Sequence, residues 1–416
     1  MRLIAYGFDC VYTGYGMIIT SKMKNILTFF QRARRLFASK TFFYLVVAVF
    51  FFSSLWIALS ARYPMAFDEN YHYKIIQQYS HQYSPFFTHP PAASEALGDI
   101  TRYPSYLYHY LLSFVYRGLS LLGFADTTKI ILLRLLNSII FGSSLFVFKE
   151  IFKKMHLSPT VINVSLLFFV LTPVVPFLAA HINYDNLLVP LSAVAVLLAI
   201  KLIECLQKGK FPFVVTVELL VTCFITSLVK FNFLPIFLAI GLVCLVELIK
   251  TQKKQKIQFT EQLKTQLRAT NRYVSVSIGV LLVLFMGLFV ERYGVNIIKY
   301  HTPTPECSQI LSVASCSQYG PWARDNQLKM AKTGDPEWGA LRYSGHWLAQ
   351  NMHELFFAID QNYVETSPLP MPYYAGWVFG FTGLVLIVLY ARRLKAMPYA
   401  SLIAVITMLY TAILWA

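Results

Sequence analysis

The sequence predicts an all-α polytopic membrane protein, a helical bundle of roughly nine transmembrane helices with interfacial helices and one long loop on its outer face. Three observations predict it. Hydrophobic residues make up 56% of the 416 and charged residues only 13%, against a soluble norm of about 25% charged. Apolar runs of bilayer-crossing length recur along the chain, and the basic residues cluster between them. The spans are helical because open strands cannot satisfy their backbone in lipid.

A spanning helix needs about 20 largely apolar residues, and the runs at 41–61, 129–148, 159–180, 186–203, 212–229, 231–249, 273–290, 373–391 and 397–415 approach or meet that length. Residues 1–40 read as a cytoplasmic N-terminal segment, within which Met23-Lys24-Asn25 looks a more natural start than Met1. The run at 41–61 is too long for the core of a cleaved leader and reads as a retained anchor. Residues 41–290 form the transmembrane core, with a first outer loop at 62–128. An outer lobe follows at 291–372 and the C-terminal helices at 373–416, where Trp415-Ala416 ends without a polar flank, as in a fragment.

The stretch 103–123 is apolar but carries His109, Arg117 and the tyrosines 103, 106, 108, 110 and 116, so it reads as an amphipathic helix lying in the interface. Counting it as a span would invert everything after it. With it in plane and the chain starting inside, Arg32 to Lys40, Lys149 to Lys154, Lys201 to Lys210, the basic loop 250–272 and Arg392 to Lys395 all fall on the cytoplasmic side, as the positive-inside rule expects. The net charge of +16 therefore reports topology and contact with anionic membrane lipid, and no nucleic acid partner is expected. The expected location is the cell membrane, multi-pass, with the chemically rich loops extracytoplasmic.

Asp68 and Glu69 stand a few residues beyond the first span. Adjacent ionisable groups at that depth are costly to keep unpaired and mark a candidate catalytic pair. A second reading is that Asp68 caps a helix beginning near Asn70, with Glu69 placed favourably against its dipole. Cys307 and Cys316 share the long outer loop, where oxidation is allowed, and are a candidate disulfide. Cys205, Cys223 and Cys244 fall within or beside spans and read as small apolar residues. No Cys or His spacing matches a structural zinc site.

The acid pair after the first span, the interfacial helix, Arg102-Tyr103-Pro104, Asn183-Tyr184-Asp185 at the outer end of the third span and Lys230 at the outer end of the fifth together resemble the GT-C superfamily of membrane glycosyltransferases. The likeness runs from about Thr41 to Lys250. It is greatest to the bacterial branch that includes aminoarabinose and protein-mannosyl transferases, and to an uncharacterised bacterial membrane-protein branch. The resemblance implies a GT-C-like bundle, a polyprenyl-phosphate-linked sugar donor, and a catalytic carboxylate at Asp68 with Glu69 as its neighbour. It places Asp185 and Lys230 among the substrate-binding residues. This chain departs from the pattern at Tyr184, where a small residue or proline is usual, which puts the local turn and the role of Asp185 in question.

The chemistry stands beside the likeness. Sugar transfer from a lipid phosphate needs a base for the acceptor hydroxyl and a cation for the departing phosphate. Asp68 suits the first role, and Lys230, Arg102 or Arg134 the second. A glycan or protein is the expected acceptor. A divalent metal is neither required nor excluded by these residues. A membrane transporter and a non-catalytic scaffold are the rival readings, although no internal repeat supports the former.

Overall fold

The computed structural model describes residues 21–65, 68–91, 94–255, 271–331 and 397–415, with short pieces between 261 and 389. The expected span at 373–391 lies almost wholly outside the described residues. All regular structure among the described residues is helical.

The chain runs through α1 (Ser21–Ala38), α2 (Lys40–Ser60), α3 (Glu69–Ser80), α4 (Leu107–Leu121), α5 (Asp126–Lys154), α6 (Pro159–Leu171), α7 (Val174–Ala179), α8 (Asp185–Gln207), α9 (Phe213–Val229) and α10 (Leu234–Gln255). It continues through α11 (Arg272–Phe289), a π-helical turn (Val290–Gly294), α12 (Val295–Tyr300), α13 (Val313–Cys316), α14 (Gly320–Ala331) and α15 (Ala400–Trp415). Among the described residues five stretches are long and apolar enough to cross a membrane: Lys40–Ser60, Asp126–Lys154, Asp185–Gln207, Phe231–Lys254 and Arg272–Tyr300. Three further apolar helices, Pro159–Leu171, Phe213–Val229 and Ala400–Ile413, are shorter.

One of the expected spans is broken for an identifiable reason, and another is short. The run at 159–180 is not one helix, because Thr172 precedes Pro173 and takes an extended backbone (φ −68°, ψ 117°), which ends α6 and lets α7 start in a new direction. Helix α9 has 17 residues, about 26 Å at 1.5 Å per residue, just under a ~30 Å hydrocarbon core. One face of α11 packs on α9 through Phe285, Leu288 and Phe289, and among the described residues its other faces leave apolar side chains exposed, including Val276, Val280, Val283, Leu284 and Met286. A helix so exposed and so apolar requires lipid as its solvent.

Consecutive long helices alternate in direction, so the bundle has two chemically distinct ends. At the basic end Asn163 of α6 donates to the carbonyls of Phe37 and Ser39, and Lys154 of α5 meets Glu204 of α8, which also accepts from Tyr399. The core is built where α5 crosses α8 and α2. Phe43, Phe50, Phe141 and Leu145 are buried there, and Gly142 lets α2 come close, since a Cβ at that position would sit 2.6 Å from the Phe51 ring.

Helix α4 starts and finishes at the other end of the bundle. Ser105, just before it, accepts from Phe231 N at the α9–α10 junction. Near its finish Tyr116 lies under Lys129 in the first turn of α5, and Arg117 donates to Ser80 and Gln82 at the end of α3. Leu111, Phe114, Val115 and Leu121 face out along its exposed side. Both termini share one end of the bundle, so α4 lies across the helix ends and does not run between the two ends.

This arrangement makes a direct prediction for single cysteines placed where the other free cysteines have been replaced. Labels at Ser84 and Thr127, which flank α4, should react with an impermeant reagent from the same side of the membrane, and one at Lys208 only from the opposite side. Opposite accessibility of Ser84 and Thr127 would show α4 to be a span.

Candidate functional site

The site end is organised by Glu69. Its carboxylate is fully buried and meets Arg134 of α5 in a two-pronged pair, Nε to Oε1 and Nη2 to Oε2, both at 2.7 Å. The remaining lone pairs accept from Met65 N at 2.8 Å and Ile182 N at 3.3 Å. Arg134 in turn donates through Nη1 to the carbonyls of Ala58 and Ala61 and through Nη2 to that of Arg62. The guanidinium therefore caps the C-terminus of α2, where a cation is favoured and free carbonyls need donors. The pair joins α2, α3, α5 and the turn before α8. Both residues expected to contact substrate, Glu69 as a catalytic neighbour and Arg134 as a phosphate ligand, are placed by the structure in this saturated framework.

Asp68 has the opposite fate. It is exposed and precedes α3 with a left-handed backbone (φ 61°, ψ 27°), and its side chain makes no capping hydrogen bond. Its carbonyl opens the helix by accepting from His72 N at 3.0 Å. A left-handed backbone costs a non-glycine residue about 1–2 kcal/mol and is best tolerated by Asp and Asn. The cause is local: Glu69 turns inward to Arg134 and also gathers Met65 N, and this winds the chain so that Asp68 projects outward. Helix capping does not account for this carboxylate.

Lys230, at the end of α9, lies 2.8 and 3.0 Å from the two carboxylate oxygens of Asp185 at the start of α8. The pair is partly exposed, and Lys230 Nζ sits 4.4 Å over the Tyr184 ring. Tyr184 is thus the floor of the cation site at the position where the sequence departs from the expected small residue. Asn183 Oδ1 accepts from Asp185 N, which sets the turn. Burial, then the negative charges of Asp185 and Asp68, push the Tyr184 hydroxyl up, so it stays protonated and can donate. Its ring packs on His72 of α3 and lies under Lys230 at the end of α9, so it joins the Asp68 and Lys230 sides of the site. Tyr71, Tyr103 and Tyr319 stand around the same space, and all three hydroxyls are also pushed up, first by burial.

Arg102 is engaged elsewhere. It donates to Glu291 Oε1 at 2.6 Å, to the Glu291 carbonyl at 2.9 Å and to Asn296 Oδ1 at 2.9 Å. Glu291 belongs to the π-helical turn, whose next residue, Arg292, is buried over the rings of Phe86 and Tyr106 and donates to the Thr101 carbonyl. The extra residue of that turn sends Glu291 and Arg292 toward the first loop, a geometry with no signature in hydropathy. Cys307 and Cys316 form a disulfide with Cα atoms 5.9 Å apart.

A buried histidine pair lies behind Tyr184. His72 Nδ1 is 2.8 Å from His109 Nε2, and the His72 ring meets Tyr184 edge-on at 4.5 Å. Burial, then His109 and His181, hold the His72 imidazole far below its ordinary value; burial lowers His109 to about 3. The sequence marked His109 as a polar interruption of an apolar stretch but gave no sign of its pairing with His72, since single histidines 37 positions apart carry no spacing signal. Among the described residues no group of three His, Cys, Asp or Glu side chains is placed to hold a metal ion. No family model, no curated protein and no solved structure matches the chain, so the site is interpreted from its own geometry.

Two outcomes follow. Glu69→Gln or Arg134→Leu should each cost about 3–5 kcal/mol of stability, because each leaves a buried charge unpaired. Thermal unfolding in detergent checks this, and an unshifted midpoint would show that the pair is not what holds this end together.

The histidines set a pH dependence whose sign is fixed by their lowered values. The unfolded chain takes up protons below about pH 6.5 while the folded pair resists, so the stability is complete above that pH and is lost as pH falls toward 3. Each histidine contributes a slope of up to about 1.4 kcal/mol per pH unit in that window. His72→Asn and His109→Gln should flatten the acid limb of the midpoint-versus-pH curve; an unchanged slope would show that other groups set it.

Proposed function

We propose that the chain is a membrane glycosyltransferase of the GT-C type, which moves a sugar from a polyprenyl-phosphate donor to a glycan or protein hydroxyl on the extracytoplasmic face of the cell membrane. The observation that carries the reading is Asp68: an exposed carboxylate without a hydrogen-bond partner among the described residues, held in a strained backbone one helical turn before His72, whose ring packs on the Tyr184 that carries Lys230. Strain of this kind persists where surrounding contacts over-determine it, and it concentrates at functional sites.

A second feature supports a lipid-borne donor. An apolar cleft of about 640 Å³ opens beside Lys230, between Phe231, Leu234 and Leu238 on one side and Tyr410 and Ile413 of α15 on the other. An isoprenoid chain suits that lining, and its phosphate would lie at the Lys230 end. In the reaction the acceptor oxygen attacks the anomeric carbon while Asp68 takes the hydroxyl proton. The bond from carbon to phosphate oxygen breaks, and the polyprenyl phosphate leaves with the electron pair. Lys230 neutralises the added charge, and Asp185 holds the ammonium in place beforehand. Glu69 and Arg134 serve the same reaction by fixing where Asp68 points.

The clustering of basic residues at the far end of the bundle favours that end as cytoplasmic. The transporter reading is less well supported, because Asp68, Glu69–Arg134 and Lys230–Asp185 sit at one end of the bundle, away from its middle.

Purified protein offered a panel of polyprenyl-phosphate sugars tests the proposal. Asp68→Asn keeps both shape and tolerance of the left-handed backbone, so the protein should stay as stable as the parent while turnover falls by about 100-fold or more. Lys230→Ala should act mainly on donor KM, since the phosphate is contacted before as well as during transfer. A fully active Asp68→Asn protein rejects the base.

A further inference from the structure

We infer that Tyr319, carried on the outer lobe, is a sugar-positioning residue of the Asp68 site, and that the Cys307–Cys316 disulfide is what seats it there. The inference rests on the transferase reading and adds to it the surface that receives the sugar ring.

Tyr319 lies far from Asp68 in sequence, on a lobe whose own helices are short. It nevertheless stacks on Tyr71 of α3, three residues past Asp68, with ring centroids 5.9 Å apart and planes 29° from parallel. Through Tyr71 it reaches the first turn of α3, where the neighbouring His72 packs on Tyr184, so Tyr319 and Tyr184 flank the helix start that Asp68 precedes; after burial, the Asp68 charge is among the causes that raise both hydroxyls. Tyr319 is only partly buried, leaving ring surface for a ligand.

The first loop is shaped to accept this ring. Gly98 has φ +68°, and a Cβ on it would stand 2.8, 3.0 and 3.1 Å from three Tyr319 ring atoms. Any larger residue would displace the tyrosine. Gly98 thus meets both requirements, a left-handed backbone and a flat seat for an aromatic ring.

The disulfide supplies the other half of the seat. Cys307 and Cys316 are buried and close a small ring of chain, and Tyr319 N donates to the Cys316 carbonyl at 2.9 Å. The covalent link therefore fixes the turn from which Tyr319 projects. Cutting it frees that turn without altering a residue that faces the site. An aromatic shelf of this kind suits the apolar face of a pyranose ring, and the neighbouring protonated tyrosines supply donors for its hydroxyls.

Two measurements test this on the full-length protein. In the first, hydroxyl-radical footprinting with peptide mass spectrometry reads Tyr319 before and after mild reduction. Modification of Tyr319 should rise about threefold or more on reduction, and likewise in Gly98→Ala with the disulfide intact. No change in either sample overturns the seating.

The second measures initial rates with whichever polyprenyl-phosphate sugar the protein turns over. Tyr319→Ala should raise donor KM about tenfold with a smaller fall in kcat, and Tyr319→Phe, which keeps the ring, should recover most of that affinity. If Asp68→Asn abolishes turnover while Tyr319→Ala leaves KM unmoved, the role of Tyr319 is overturned and the transferase reading stands. If Asp68→Asn is fully active, the transferase reading itself fails, and this inference with it.

Discussion

The site end depends on one buried ion pair, Glu69 with Arg134. Two charges removed from water are stable only when their mutual attraction is accompanied by full hydrogen bonding of what remains. That condition is met in detail. A guanidinium has five N–H donors, and Arg134 aims them at both Glu69 oxygens and at the carbonyls of Ala58, Ala61 and Arg62. Glu69 fills its other acceptor sites with Met65 N and Ile182 N. These partners come from three pieces of chain: Ala58, Ala61 and Arg62 at the end of α2, Met65 before α3, and Ile182 before α8. The end of α2, the turn before α3 and the turn before α8 are positioned together, and with them Asp68 and Asp185.

The same pair shows where sequence reading stops. Two adjacent acids beyond an apolar run could be recognised as a feature, and their depth could be inferred from the run. Which of the two is buried could not, because successive residues at a helix start point about 100° apart and the choice is made by Arg134, 65 positions away. Hydropathy located the five long helices, and Arg117 and His109, which interrupt an otherwise apolar stretch, separated α4 from them. It joined α6 to α7 because a window average is blind to the backbone constraint that Pro173 places on Thr172. It also gave no sign of the π-helical turn or of the histidine pair, since both arise only once distant helices are packed.

Charge is sorted along the bundle. At the basic end the ion pairs are partly exposed, as in Lys154 with Glu204, and such pairs add little stability in water. Toward the site end Glu69–Arg134 is buried, and Arg102 joins Glu291 beneath the first loop. The two ends therefore do different work: one faces a polar medium with loosely held cations, and the other spends its charges on fixing loop geometry. The strongest organisation lies beside the exposed carboxylate that needs it.

For the transferase proposed above, this sorting also decides which cation could receive the donor phosphate. Arg134 has every N–H engaged and is buried. Arg102 binds Glu291 through two donors and Asn296 through a third, and releasing it would unfasten the π-helical turn from the first loop. Among the described residues Lys230 has only Asp185 as its charged partner, and it rests on the Tyr184 ring with part of its surface open. An ammonium is a compact point charge on a flexible stem, so it can swing between a carboxylate and an arriving phosphate without the planar fit that a guanidinium demands. Such an exchange of partners would leave Asp185 close by, so the ammonium would return to a defined position once a phosphate departed. For the proposed transfer, a lysine held this way is therefore better suited than either arginine to a leaving group that would be bound, stabilised and released in each turnover.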